Sequence, residues 1–244
     1  MKLDLLAFGV HPDDIELSCS GTLLVEKMNG KKVGIVDLTQ GELGTRGSAE
    51  TRKEEAEKSA KILGVDVREN LKMADGFFKN DEDNQKKIIS VLRKYRPEII
   101  LCNAPGDRHP DHGRAARLVA DATFLSGLIK IETKDGDHVQ EAWKPKYVFN
   151  YIQDKYYDPT FVIDITPVIE KKLEAIRAFK TQFYNPDDTG AEPQTYISSP
   201  EFFNSIINRS AMFGKMIGVK FAEGFLSKKM IGTKGFDAFI QNIT

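Results

Sequence analysis

The chain has 244 residues, long enough to bury a substantial core within one large domain. Hydrophobic residues make up 41% and charged residues 29%, which excludes a wholly disordered chain. Lys plus Arg total 35 against 36 Asp plus Glu, a net charge of −1, which offers no footprint for a nucleic-acid backbone or an anionic membrane surface.

The opening residues carry an early charge and only a short apolar run, which reads as a first strand over 5–10 rather than a signal peptide. Residues 18–29 have helical spacing, with Leu24 and Met28 four apart. A second strand is expected over 32–38. A charged amphipathic helix follows over 48–63, with Ala56, Ala60 and Leu63 on one face and Ser48 or Thr51 as its cap. A short third strand is expected over 71–74, a helix over 82–95, a fourth strand over 98–103 and a helix over 111–127. This alternation predicts a parallel sheet covered on both faces. Beyond residue 128 the pattern changes to a polar loop at 130–146, strands over 147–153 and 160–165, and a helix over 167–182. A Gly/Pro/Asp-rich loop at 185–199 and a helix over 200–217 complete it. The expectation is an α/β, Rossmann-like three-layer fold with a mostly parallel sheet and a C-terminal elaboration, as one domain over 1–244. No window approaches eighteen uninterrupted apolar residues, so no membrane-spanning helix is expected. Cys19 and Cys102 are too few for a disulfide framework, which points to a reducing cytoplasm, and both read as core thiols.

Three of the four histidines fall just past expected strands. His11 lies in Gly9-Val10-His11-Pro12-Asp13-Asp14 after the first, and His109 and His112 lie in Gly106-Asp107-Arg108-His109-Pro110-Asp111-His112-Gly113 after the fourth. In a doubly wound sheet, sites form outside the carboxyl ends of strands where the strand order reverses. If strands one and four are neighbours, both clusters face one crevice. A catalytic zinc takes three imidazole or carboxylate ligands and keeps a position for water, whose pKa it brings to about 7. His11, an adjacent aspartate and one of His109 and His112 can supply the ligands. The remaining aspartate can act as base and the remaining histidine can steady an oxyanion. Spacing alone does not choose between Asp13 and Asp14, or between His109 and His112. The competing structural reading is that a His-Pro-Asp turn caps a helix; two such clusters at strand ends favour chemistry.

Residues 39–48 carry three glycines but neither GxGxxG nor GxxxxGK[ST], so they are expected to wall the crevice rather than cradle a phosphate. Arg46, Arg52 and Arg108 lie on or beside strand ends and favour an anionic substrate, unless each is paired with an acid such as Asp107 or Glu55. His138 reads as a solvated surface residue. There is no GxSxG elbow.

The His11-Pro12-Asp13-Asp14 and His109-Pro110-Asp111-His112 motifs resemble the LmbE-like (PIG-L) family of zinc-dependent N-acetylglucosamine deacetylases. The resemblance continues through residues 37–47, Arg52 to Gly64, Ser126-Gly127-Leu128, Lys180-Thr181-Gln182-Phe183 and Ala222-Glu223-Gly224-Phe225. The later segments look most like the bacillithiol-biosynthesis branch, which deacetylates N-acetylglucosaminyl-malate. The resemblance implies His11, Asp14 and His112 as zinc ligands, with iron(II) also suited to such a set. It implies Asp13 as general base and His109 as oxyanion stabiliser or acid, and it places Arg52 and Asp75 against the sugar. Arg108 is the candidate for the malate carboxylates on charge and position. Ser18 stands where many relatives have glycine. A carboxylate beside a dication keeps its charge, so Asp13 is expected to act as base without a strongly raised pKa. The family further implies a homo-oligomer, a hexamer in many relatives, with 130–146 as the loop able to reach a neighbour. The rivals are a deacetylase of chitooligosaccharides or another N-acetyl sugar, a non-catalytic sugar-binding protein, and a nucleotide-binding Rossmann protein. The absent glycine fingerprint argues against the last.

Overall fold

The computed structural model describes residues 1–186, 190 and 192–236. Its first half runs β1 (Leu5–Gly9), α1 (Asp14–Ser18), α2 (Ser20–Met28), β2 (Val33–Thr39), α3 (Ala49–Leu63), β3 (Val67–Met73), α4 (Glu82–Tyr95), β4 (Ile99–Cys102) and α5 (Pro110–Leu125). The second half adds a small hairpin of β5 (Lys134–Asp135) and β6 (His138–Val139), then β7 (Tyr147–Tyr151), β8 (Phe161–Asp164), α6 (Ile169–Arg177), α7 (Pro200–Ile217) and β9 (Ala222–Ser227).

β1 and β2 are buried at every position, as strands covered on both faces must be. Among the described residues, seven strands form one sheet in the order β3-β2-β1-β4-β7-β9-β8. β1 lies parallel to β2 on one side and to β4 on the other, with Leu5 opposite both Val33 and Ile99. The strand order therefore reverses between β1 and β4, and the loops leaving these two strands open one crevice.

The alternation within β1 assigns its side chains to two cores. Leu5 and Ala7 pack with Ile35, Leu101 and the apolar faces of α2, α6 and α7. Leu6 and Phe8 pack with Val36, Ile100 and residues of α4 and α5. These are the three layers expected. Ser48 caps α3 by accepting from the Thr51 amide, with Thr51 returning the bond, as its position before the apolar stripe suggested.

Several boundaries differ from expectation. The helix expected over 18–29 is preceded by a separate turn of helix, α1, and the two meet at Cys19. β3 begins at Val67 rather than 71. It is the edge strand, half-buried, and its polar Arg68 and Asn70 bond inward to Asp37 and the Thr39 carbonyl. The last long helix but one ends at Arg177 instead of 182. Loop 130–146 contains the β5–β6 hairpin. β9 was not anticipated as a strand; it enters antiparallel between β7 and β8. Of the expected loop at 185–199, residues 187–189 and 191 lie outside the described residues.

Candidate active site

Asp14 sits at the start of α1, where the turn after β1 aims backbone amides at it. Its Oδ2 accepts from the Val10 amide at 2.9 Å, the His11 amide at 3.1 Å and Asn103 Nδ2 at 3.1 Å, and its Oδ1 accepts from Gln153 Nε2 at 2.8 Å. Two imidazoles flank this carboxylate: His112 Nε2 lies 3.3 Å from Oδ1 and His11 Nδ1 lies 3.8 Å from Oδ2. The far nitrogen of each ring is held by another carboxylate, His11 Nε2 by Asp75 Oδ1 at 3.0 Å and His112 Nδ1 by Asp107 Oδ2 at 2.8 Å. Carboxylate-backed histidines of this kind fix the tautomer and raise the basicity of the nitrogen facing a metal. His109 joins the cluster: nitrogens of His11, His109 and His112 all lie within 4.8 Å of one another.

Two imidazoles and a carboxylate, oriented from behind, fit a divalent transition metal. The electrostatics agree. Burial opposes ionisation of Asp14, but His112 and then His11 hold its carboxyl well below the usual range. Burial also opposes charge on His112, yet Asp14 and Asp107 outweigh it and raise the ring to about 10. The cluster is thus a negative pocket that holds a proton where a metal cation can take its place.

Asp13 is buried and has a backbone φ of 148°, a region a non-glycine residue occupies only when its surroundings impose it. Arg52 of α3 supplies that restraint, donating from Nη2 to Asp13 Oδ2 at 2.7 Å and to the Pro12 carbonyl at 3.1 Å. Gly41 makes room: a Cβ there would fall 2.4 Å from Arg52 Nη1, and its φ of 66° suits glycine. The ordinary acidity expected of Asp13 is not what the protein groups alone provide. Burial pushes its carboxyl up to about 7 against the pull of Arg52. A dication bound beside it would draw that value back toward the ordinary carboxylate range.

His109 is the N-cap of α5, its Nδ1 accepting from the Asp111 amide at 3.3 Å. The helix-cap reading therefore holds for this histidine without displacing the chemical one. With Nδ1 accepting, the neutral ring carries its proton on Nε2, and burial followed by His11 and His112 lowers its pKa, keeping it neutral.

His11, Asp13, Asp14, Arg52, Asp75, Arg108, His109 and His112 all line one cavity of about 290 Å³. Leu43, Gly44, Thr45 and Arg46 form one wall, where residues 39–48 were expected. Within it, Arg52 and Asp75 spend polar atoms on protein partners, Arg52 on Asp13 and Asp75 on His11 and the Leu43 amide. Arg46 donates to the Thr181 and Pro193 carbonyls, and Arg108 pairs with Asp154 at 3.1 Å. Each arginine thus has an acid beside it, as the alternative reading allowed: Asp13 for Arg52, Asp154 for Arg108 and Glu192, at 3.9 Å, for Arg46. His138 is exposed on β6, and Cys19 and Cys102 are buried, with burial pushing both thiols up. Sequence reading missed Asp107 as the partner of His112, and missed Asn103 and Gln153 as partners of Asp14. Only the adjacency of Asp107 to the second motif pointed toward any of them.

A mostly parallel sheet with a candidate His/Asp metal site and a buried carboxylate at its switch point is an arrangement suited to metal-assisted hydrolysis. Residues 6–123 match the family described as PIG-L: GlcNAc-PI de-N-acetylase. A diacetylchitobiose deacetylase from Thermococcus kodakarensis is 30% identical over 90% of this chain and 81% of its own length. A 4-oxalmesaconate hydratase from Pseudomonas putida is 27% identical over 72% and 73%. A "Probable N-acetyl-alpha-D-glucosaminyl L-malate deacetylase 2" from Bacillus anthracis is 24% identical over 71% and 78%. The crystal structure of a conserved protein from Thermus thermophilus superposes with a TM-score of 0.83 at 32% identity, over 95% of this chain and 98% of that one. The chain belongs to the PIG-L (LmbE-like) family of deacetylases and is a hydrolytic enzyme. No helix among the described residues is long and apolar enough to cross a membrane.

Proposed function

We propose that this enzyme removes the acetyl group from an N-acetylated glucosamine conjugate, with zinc held by His11, Asp14 and His112. The observation that carries the reading is the Asp14 carboxylate between two carboxylate-backed imidazoles, with Asp13 restrained beside it. A bound divalent ion supplies Lewis acidity toward water and the amide carbonyl. Asp13 takes the proton from the attacking water. His109 donates its Nε2 proton as a hydrogen bond to the carbonyl oxygen as negative charge grows there. Arg52 keeps the Asp13 carboxylate aimed and partly offsets the burial that opposes its ionisation. Asp13 passes the proton it took from water on to the amine nitrogen as the C–N bond breaks, which releases acetate and a glucosamine product and frees the base.

Two aglycones have support. The malate conjugate follows from the resemblance of the later segments to the bacillithiol branch. A second amino sugar follows from 30% identity to a diacetylchitobiose deacetylase. The test is acetate release by zinc-loaded protein from N-acetylglucosaminyl-malate, N,N'-diacetylchitobiose and free N-acetylglucosamine, with hydration of 4-oxalmesaconate assayed alongside. Acetate release that disappears in Asp13→Ala while metal content is retained is the expected result. Hydration without acetate release would overturn the reading.

A further inference from the structure

Three side chains from separate segments meet on one part of the cavity lining. Arg108 follows β4, Asp154 follows β7, and Tyr196 opens a 3-10 turn (Tyr196–Ser198) ahead of α7. Arg108 Nε lies 3.1 Å from Asp154 Oδ2, and the Tyr196 hydroxyl donates to Asp154 Oδ1 at 3.2 Å. The Arg108 guanidinium carbon stands 4.8 Å from the centre of the Tyr196 ring. One carboxylate thus ties a cation and an aromatic ring into a triangle, and all three line the cavity that holds the histidine cluster.

We propose that Asp154 sets the charge of the aglycone, so that the site selects an uncharged saccharide over an anionic group. The inference rests on the deacetylase reading above and specifies its substrate. Arg52 is committed to Asp13 and Arg46 to main-chain carbonyls, which leaves Arg108 as the cavity arginine with an exposed guanidinium, 48% of its side chain being accessible. Its charge is balanced by Asp154. Arg108 gives Asp154 its Nε, so an anionic aglycone that reaches the rest of the guanidinium lies beside a carboxylate of the same sign, an arrangement that selects against it. An uncharged sugar meets no such cost. Its C–H face can lie on the Tyr196 ring, which is 57% exposed.

The test uses zinc-loaded protein and the two deacetylated products, glucosaminyl-malate and glucosaminyl-N-acetylglucosamine, titrated by calorimetry. The wild type is expected to bind the disaccharide at least about tenfold more tightly than the malate product, as mutual repulsion beside Asp154 requires. Asp154→Asn is expected to tighten the malate product about tenfold, more so at low salt, and to leave the disaccharide nearly unchanged. Tyr196→Ala is expected to weaken the disaccharide selectively, with Tyr196→Phe retaining most of its affinity. A wild type that prefers the malate product, an Asp154→Asn variant with an unchanged ratio, or a wild type that binds neither product overturns the proposal. Binding needs no turnover, so a protein that discriminates as expected yet releases no acetate sinks the deacetylase reading alone.

Discussion

The Arg52 guanidinium grips the Asp13 carboxylate at 2.7 Å, on a residue whose backbone φ is 148°. Burial raises the Asp13 pKa and Arg52 works against that rise. Arg52→Met removes the opposing charge, so the carboxyl titrates at higher pH. A base must be ionised to act, so the acid limb of the kcat/KM profile moves to higher pH. At neutral pH kcat drops about 100-fold. A pH–rate series on the zinc-loaded variant checks both effects, and an unmoved acid limb would remove Asp13 from the role of base.

Asp75 and Asp107 stand behind the two candidate metal-binding histidines. Asp75→Asn and Asp107→Asn should each weaken zinc binding about 10- to 100-fold, the usual cost of losing such a partner. Competition with a chromogenic chelator measures this. Affinity unchanged in both variants would argue that the ion is held elsewhere.

His112 makes the metal-free protein sensitive to alkaline pH. Its folded pKa is raised to about 10, burial being outweighed by Asp14 and Asp107. A raised histidine contributes its stability fully below the unfolded value of about 6.5 and loses it as pH climbs through the folded value. The Tm of chelated protein is therefore expected to fall between about pH 7 and about pH 10, while zinc-loaded protein, whose His112 has surrendered that proton, stays level. Thermal melts with chelator and with zinc, compared across this window, decide the matter; parallel curves would count against it.

Lys172 of α6 and Glu223 of β9 form an ion pair at 2.6 Å with side chains only 1% and 2% exposed. Glu223 also accepts from the Gly21 and Thr22 amides at the start of α2, and Lys172 donates to the Glu16 and Leu17 carbonyls at the end of α1. Lys172→Met strands a buried carboxylate and should cost roughly 3–5 kcal/mol in denaturant unfolding. The double variant with Glu223→Gln should cost less than the single one. A double variant that loses more than Lys172→Met would show that the pair contributes net stability beyond cancelling its own burial.

The sequence was most informative where chemistry is local. His11, Asp13 and Asp14 are neighbours in one turn, and the period-two and helical spacings placed the loops after β1 and β4 on one side of the sheet. Residues coupled across long separations were not legible. Asp75 reaches His11 from 64 positions away and Gln153 reaches Asp14 from 139. No spacing rule connects them, because the parallel sheet makes the meeting. β9 was hidden for another reason. Its Ala-Glu-Gly-Phe start has a buried charge where a strand pattern calls for an apolar residue, and Lys172, which neutralises that charge, lies 51 positions earlier. The α1–α2 break was unreadable too, since the groups that bond the main chain there, Lys172 and Arg209, come from α6 and α7.

The position of β9 has a consequence for how the molecule is made. Hydrogen-bonded between β7 and β8, it pairs Phe225 with both Tyr151 and Phe161. A nascent chain emerging from the ribosome can zip β1 to β4 and β7 early, but β8 has nowhere to dock until residues 222–227 follow it out. Until then β7 carries an open edge and α2 lacks the carboxylate at its first turn. Stalled or prematurely terminated chains that lack residues 222–227 would present that edge for self-association.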